Sequence, residues 1–374
     1  MRILLDPEIF NEQKFGGISR YYIEIFSNIS HNQNVVINLP IVSSENIYLK
    51  ESVFFTKQVR FRTSCVDLLK KFGVSLRKKV KKKNILNTIE VLKNQEFDLF
   101  IPTYYNPYFL EYINQKPFVL TVYDMIYELF PHYFINDNVS VKNKLVLLEK
   151  ATKIIAVSHN TKKDILKIYP HIDASKIEVI YHGNSIKIND IFVNLPKKYL
   201  LFVGVRRHYK NFIFLINSIK DLLIKDSNLF VVCAGGGKFE EDELTLINEL
   251  GLQNQIIQKS FEENELGQFY KNAVCFIFPS DYEGFGIPVV ESMSCGCPIV
   301  LTNNSSFPEV AGDAGLYFEL NDSNDLKNKI SILLENDTVR TEYIQKGLER
   351  AKLFDWNIAA TKCYNLFYNT VNKI

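Results

Sequence analysis

Glu283 and Glu291 stand eight residues apart in the run DYEGFGIPVVES, with Gly284, Phe285, Gly286, Ile287 and Pro288 between them. Two acids at this spacing suit a solvated surface, a metal site, or two contacts to the ends of one extended ligand. The run follows the apolar stretch VCFIFPS, and a helix is expected to begin near Pro288, because proline has no N–H to lose in a first helical turn. The backbone amides of Gly284, Phe285, Gly286, Ile287 and Val289 then lie at the positive end of a helix, where anions bind. Glycines let a phosphate or a sugar approach the backbone closely. Glu283 stays on the loop and Glu291 lies about one helical turn in. A capped helix with a solvated glutamate is the competing reading, and this run alone does not choose between them.

Other segments carry compatible chemistry. The strand-like YLLFVG runs into VRRHYKNF, which clusters Arg206, Arg207 and Lys210 where a bound diphosphate can be neutralised. No glycine precedes Lys210 as a Walker loop requires, which argues against ATP hydrolysis by that route. KFGGISRYYIEIF places Gly16 and Gly17 after the first apolar run and at the start of a helical pattern, a second backbone anion site. In VVCAGGGKFEEDE the spacing is GGG and not GxGxxG, so NAD binding is poorly supported; Glu240 to Glu243 are expected on an exposed, solvated helix face. Nowhere do two aspartates flank a single residue, so a divalent ion is not demanded. The six cysteines are too few and too irregularly spaced for a disulfide scaffold or a paired zinc site, and Cys295 and Cys297 read as packing residues.

These segments must be held by a repeating framework. Apolar runs at 2–6, 35–42, 98–102, 117–124, 153–158 and 177–183, and again at 199–204, 229–235, 255–261, 274–280, 297–303 and 315–319, alternate with helical patterns. Runs of this kind predict parallel strands covered on both faces. Two successive arrays in 374 residues predict two doubly wound domains, with ligands at the carboxyl ends of the strands facing a cleft. The expected domains are 1–190 and 191–354, with a final helix, 355–374, crossing back to the first. Residues 1–190 hold 26 Lys and Arg against 19 Asp and Glu, so the positive charge is concentrated there. The amino terminus is too short in apolar residues for a signal peptide, and no run is long enough to span a bilayer, which leads to an expectation of a cytoplasmic protein, or one peripheral on the inner face of the plasma membrane.

Taken together, GGISRY, TVYDM, VGVRRHYKN, CAGGGK, EGFGIPVVE and CPIVLTNNSSFPEVAGDAGLYF resemble the retaining glycosyltransferases of family 4, the group 1 glycosyl transferases, which have the two-domain GT-B fold. The resemblance spans nearly the whole chain and is most specific over 199–320. It implies an acceptor-binding first domain and a second domain that binds a nucleotide-sugar. By analogy Glu283 contacts the transferred sugar, Glu291 hydrogen-bonds the ribose hydroxyls, and the amides between them hold the sugar and diphosphate. Arg206 and Lys210 match the basic pair that stabilises the departing nucleoside diphosphate, and Phe261, next to Ser260, matches residues lining the base. Asp124 lies in the matched TVYDM, where Tyr123 replaces a histidine that contacts the donor sugar near its 6-position in many relatives. A tyrosine is no comparable base near neutrality, so the donor sugar is left open.

The resemblance implies transfer of mannose or a related hexose or deoxyhexose from a GDP-, UDP- or dTDP-sugar, without cofactor or metal. The implied acceptor is a glycan or undecaprenyl-linked glycan of a bacterial O-antigen or capsule. A sugar-nucleotide 2-epimerase of the same architecture and a non-catalytic nucleotide-sugar-binding subunit are the alternatives. The basic run Arg77 to Lys83, beside Leu76, Val80, Ile85, Leu86 and Ile89, suits an anionic membrane surface. Nucleic acid is not expected as a partner, since no recognition motif accompanies the lysines.

Overall fold

The computed structural model describes residues 1–72, 75–134 and 138–372. Each of the twelve apolar runs contains a strand. In the first half these are β1 (Arg2–Leu5), β2 (Val36–Asn38), β3 (Leu99–Ile101), β4 (Val119–Val122), β5 (Lys153–Ala156) and β6 (Ile177–Val179). In the second they are β7 (Tyr199–Val203), β8 (Phe230–Ala234), β9 (Ile256–Lys259), β10 (Cys275–Phe278), β11 (Ile299–Thr302) and β12 (Gly315–Phe318). All ladders between them are parallel. β2 is shorter than its apolar run predicts: it is an edge strand with one neighbour, and Pro40 lacks the N–H that would continue the ladder.

The chain forms two compact units. The first comprises Met1–Gly183 with the C-terminal helix Trp356–Asn372, and the second Asn184–Asp355. The division thus falls after Gly183 and not at 190, and the returning segment begins at Trp356 and not at 355. Gly183 lies against the start of that helix so closely that a Cβ there would stand 2.3 Å from the Trp356 nitrogen.

In the first unit the strand order is β2-β1-β3, then β4-β5-β6, joined by a bridge between Phe100 and Phe118. The order turns back between β1 and β3, the switch point at which doubly wound sheets bind ligands. The helix Gly17–Ile29 buries Tyr21, Tyr22, Ile25, Phe26 and Ile29. It receives the C-terminal helix through Phe26 and Phe367, whose rings stack 6.0 Å apart.

In the second unit the order β12-β11-β10-β7-β8-β9 puts the switch point between β7 and β10, paired Cys275 to Leu200 and Phe276 to Leu201. A core of Leu200, Phe202, Phe212, Leu215, Ile219, Val231 and Ile277 fixes both strands from behind. The loops leaving their carboxyl ends are 204–211 and 279–286, the two segments singled out by their chemistry.

Candidate active site

The two loops are tied to each other. The Asp281 amide donates to the Tyr209 carbonyl at 2.7 Å, and the Asn211 side-chain amide donates to the Pro279 carbonyl at 3.1 Å and to the Asp281 carboxylate. Asn211 holds φ +55°, a left-handed conformation that asparagine tolerates better than most residues. These ties set the Lys210 ammonium directly against the Glu283 carboxylate, with each side chain 16% exposed. Lys210 also lies over the Phe278 ring, 5.0 Å from its centroid. Glu283 is fixed through its backbone: its amide donates to Ser305 Oγ at 3.1 Å, and its carbonyl accepts from Ser306 Oγ at 2.9 Å. A cation and an acid, both reachable by solvent, therefore share one point of the sheet.

The helix after this loop runs Ile287–Ser294, with Gly286 before it at φ +88° and Pro288 in its first turn. Val289 does not offer the free amide expected of it, because its N–H donates to the Gly286 carbonyl at 2.9 Å. The amides of Gly286 and Ile287 carry no hydrogen bond among the described residues. Glu291 is buried, and its Oε2 accepts a bond from the Tyr270 hydroxyl at 3.2 Å. Burial, with Glu291 close by, pushes the Tyr270 phenol well above its ordinary range, so tyrosine stays the donor.

Arg206 departs from expectation. Its guanidinium is buried and engaged by four acceptors, donating from Nε to Glu243 at 2.9 Å and from its terminal nitrogens to the carbonyls of Gly235, Gly237 and Lys238 at 3.2, 3.0 and 2.8 Å. It is turned toward the glycine loop after β8 and does not stand beside Lys210 as a second free cation. Gly235, Gly236 and Gly237 all have positive φ, and a Cβ on Gly236 would lie 2.3 Å from the Gly204 carbonyl oxygen, so only glycine permits this loop. Glu243, expected on a solvated face, is buried; its other oxygen accepts the Glu240 amide at 2.7 Å in a capping box. The E-x-x-E spacing after the glycines was the signal for it. Arg207 is exposed and pairs with Glu240. Phe261 packs across Gly235, with a ring carbon 3.2 Å from where a Cβ would sit.

The first unit carries the remaining candidates. Gly16 precedes the Gly17–Ile29 helix, but the first-turn amide of Ser19 already donates to Gln13 Oε1 at 3.0 Å, so an anion there competes with a glutamine that sequence reading missed. Tyr123 directly follows β4 with its ring stacked on His182, 6.4 Å between centroids, and its hydroxyl is buried without a hydrogen-bond partner among the described residues. Asp124 accepts the Ile126 amide at 3.1 Å, and its carbonyl accepts from Lys144 Nζ, also at 3.1 Å. Lys144 is fully buried in an ion pair with Glu128 at 3.0 Å. A lysine among the leucines of KNKLVLLEK was the only signal for it. At the β1/β3 switch point, Asp6 is buried with Oδ1 accepting from Tyr108 at 2.7 Å and Oδ2 unpartnered among the described residues. Desolvation raises the Asp6 carboxyl and that of its neighbour Glu8 well above the usual carboxylate range. Among the described residues, no three His, Cys, Asp or Glu side chains gather as a metal site requires.

Comparison with known proteins agrees with this geometry. The family model described as "Glycosyl transferases group 1" matches residues 185–350. Among curated proteins, the chain is 28% identical over 285 residues to the O-antigen chain mannosyltransferase B of Escherichia coli, covering 71% of this chain and 72% of that one. It is 31% identical over 216 residues to the O-antigen chain mannosyltransferase RfbU of Salmonella typhimurium, covering 56% and 59%. It is 30% identical over 235 residues to an N-acetylgalactosamine-N,N'-diacetylbacillosaminyl-diphospho-undecaprenol 4-alpha-N-acetylgalactosaminyltransferase of Campylobacter jejuni, covering 60% and 62%. The matches thus span about three fifths of the length of the last two relatives. Among solved structures, HepE of Anabaena in complex with UDP and glucose superposes with a TM-score of 0.68 at 17% identity over 98% of this chain and 99% of that one. Sucrose-phosphate synthase from Thermosynechococcus elongatus gives 0.73 at 15% identity over 100% and 99%. The sheet order, the matched segment and these relatives agree: residues 185–350 match the group 1 glycosyl transferases, and the chain has the GT-B fold, built from two Rossmann-like domains.

Proposed function

We propose that this enzyme is a retaining, metal-independent hexosyltransferase. It moves mannose, or a related hexose or deoxyhexose, from a GDP-, UDP- or dTDP-sugar to a glycan or undecaprenyl-linked acceptor during synthesis of an O-antigen or capsule. The observation that carries this reading is the contact of Lys210 with Glu283 at the carboxyl ends of β7 and β10. A diphosphate entering the switch point competes with Glu283 for the ammonium. Glu283 then turns its carboxylate to a hydroxyl of the sugar, and Lys210 stabilises the negative charge that grows on the leaving phosphate as the glycosidic bond breaks.

The amides of Gly286 and Ile287, with Gly284 and Phe285 in the same loop, are suited to the phosphates and the sugar. Glu291 is suited to the ribose hydroxyls, and Phe261 to the base. In this scheme Arg206 acts on the donor through the glycine loop that it holds. Within the first unit, Gly16 and Gly17 are assigned to donor binding and Tyr123 and Asp124 to a catalytic role. The Escherichia coli and Salmonella relatives, named as O-antigen mannosyltransferases, favour mannose and a surface polysaccharide, and the Campylobacter relative, named for an undecaprenol-linked substrate, favours a lipid-linked acceptor. Lys78, Lys79, Lys82 and Lys83 are exposed on the helix Arg77–Asn94, which supports attraction of the first unit to an anionic membrane surface. No helix among the described residues is long and apolar enough to cross a membrane.

The test is a thermal-shift screen of UDP-, GDP- and dTDP-sugars, followed by release of nucleoside diphosphate with and without acceptor, in EDTA. A donor at 100 times its Kd adds about 2.7 kcal/mol of apparent stability. An epimerised sugar-nucleotide formed without acceptor refutes transfer in favour of isomerisation. Loss of activity in EDTA, restored by magnesium or manganese, refutes the metal-free scheme.

A further inference from the structure

The helix Lys57–Lys71 packs on the first unit by one narrow stripe and leaves a second one bare. Val59 and Thr63 are buried, with Val66 half-buried below them on the same face. On the opposite face Phe61, Cys65, Leu68 and Phe72 follow one another at spacings of four, three and four residues, which aligns them along a single helical edge. Phe61 is 70% exposed, Leu68 56% and Phe72 74%, and Leu69 widens the same edge. The edge is about 16 Å long at 1.5 Å per residue.

Such a stripe on a protein surface calls for a partner. The flanks of this one say which kind. Lys57, Arg60, Arg62 and Lys71 border the apolar edge, all exposed, and none of them pairs with a carboxylate among the described residues. The acids nearby are already taken: Asp67 of the same helix by Lys50, Glu45 by Lys70, and Glu12 by Lys81. The next helix adds exposed Lys78, Lys79, Lys82 and Lys83, and exposed Leu86 on its own surface. A second copy of the chain docking through this face would bring cations against cations. A bilayer surface rich in anionic headgroups offers the complementary charge outside and an apolar layer just beneath.

We propose that the Lys57–Lys71 helix lies in the plane of an anionic membrane surface, with Phe61, Leu68 and Phe72 inserted among the acyl chains and the flanking Lys and Arg on the headgroups. This deepens the membrane-surface reading above and rests on it: the lysines of the Arg77–Asn94 helix draw the protein to the surface, and the apolar edge of the neighbouring helix anchors it there. The two contributions separate by salt. Attraction of the lysines fades as the Debye length falls from about 10 Å at 0.1 M to about 3 Å at 1 M, whereas insertion of the edge does not.

The experiment uses the full chain with phosphatidylglycerol-rich vesicles and with phosphatidylcholine vesicles, at low and high salt. The wild type is expected to sediment with the anionic vesicles at low salt and to keep a bound fraction at high salt. Phe61→Ser/Leu68→Ser/Phe72→Ser is expected to lose about tenfold or more of that salt-resistant fraction while keeping low-salt binding. Lys78→Gln/Lys79→Gln/Lys82→Gln/Lys83→Gln is expected to lose the low-salt capture. Phe72→Trp, at an exposed site that tolerates the ring, is expected to shift its emission to the blue on anionic vesicles and to be quenched by brominated acyl chains.

An unmoved Phe72→Trp emission on vesicles that sediment the protein overturns the proposal, as does equal salt resistance in the serine variant. So does a wild-type dimer in solution that the serine variant abolishes, since the edge is then a self-association surface. Donor turnover with a soluble acceptor is read in parallel and is expected to be unchanged in the serine variant. Its absence in the wild type refutes the transferase reading and leaves the vesicle result standing.

Discussion

Replacing Arg206 with alanine removes a guanidinium that is buried and engaged with four acceptors, and leaves Glu243 in a site with almost no access to water. Removal of one member of a buried ion pair costs about 3 to 5 kcal/mol, most of it from the charge left uncompensated. For a unit of this size each kcal/mol moves the melting temperature by about 2 to 4 °C, so the unit holding Arg206 should melt about 6 to 20 °C lower. The double variant Arg206→Met/Glu243→Leu discards both charges and should recover most of that loss. Arg207→Ala should leave the melting temperature nearly unchanged, because its pairing with Glu240 is at the surface. Scanning calorimetry and urea unfolding read the stability, and titration with the donor found by the screen reads affinity. A folded Arg206→Ala protein with wild-type stability and turnover reduced about a hundredfold would refute the structural role and put the guanidinium on the leaving phosphate.

Lys210→Ala should lower turnover by about 10²- to 10³-fold with little change in melting temperature, and single-turnover kinetics would locate the loss in the chemical step. Glu291→Ala should chiefly weaken donor binding, and an unchanged donor Kd would remove Glu291 from the nucleotide site. Gly183→Ala should destabilise the first unit, because the added Cβ meets the Trp356 backbone, and urea unfolding of the variant checks this. His182 is kept neutral by burial, which lowers its pKa from 6.5 to about 3. Its contribution is therefore fully present above pH 6.5 and is lost as pH falls, at up to about 1.4 kcal/mol per pH unit, whereas His182→Phe should flatten that part of the stability profile.

The framework was legible because it is written in local patterns. Runs such as LFVVCAG and VCFIFPS are apolar on both faces, and a strand covered on both sides by helices has no other composition. Where a tertiary condition intervened, the pattern misled. VVINLPIV reads as a buried strand, yet only Val36–Asn38 pairs, at a sheet edge and ahead of a proline. Strand order was not in the pattern at all. Nothing in YLLFVG or VCFIFPS says that β7 and β10 are neighbours, and that adjacency brings Lys210 to Glu283 across 73 residues.

The site was legible in its residue types and less so in the direction each side chain takes. Arg206, Arg207 and Lys210 read as one basic cluster, because composition does not distinguish a cation facing a ligand from a cation facing the protein. The alternation of a strand does distinguish them, and it continues past the end of β7. Val205 is exposed, Arg206 buried and Arg207 exposed again. An arginine on the inward phase of that alternation must find an acid and carbonyl oxygens inside, since a buried guanidinium is stable only when its donors are satisfied. GGGKFEEDE supplies both: a loop of three positive-φ glycines that turns the carbonyls of Gly235, Gly237 and Lys238 to it, and Glu243 at capping-box spacing from Glu240. Lys210 lies beyond the strand, in a short 3₁₀ turn held by Asn211, where no alternation applies. Its direction is set by a hydrogen bond to a loop that the sequence places far away.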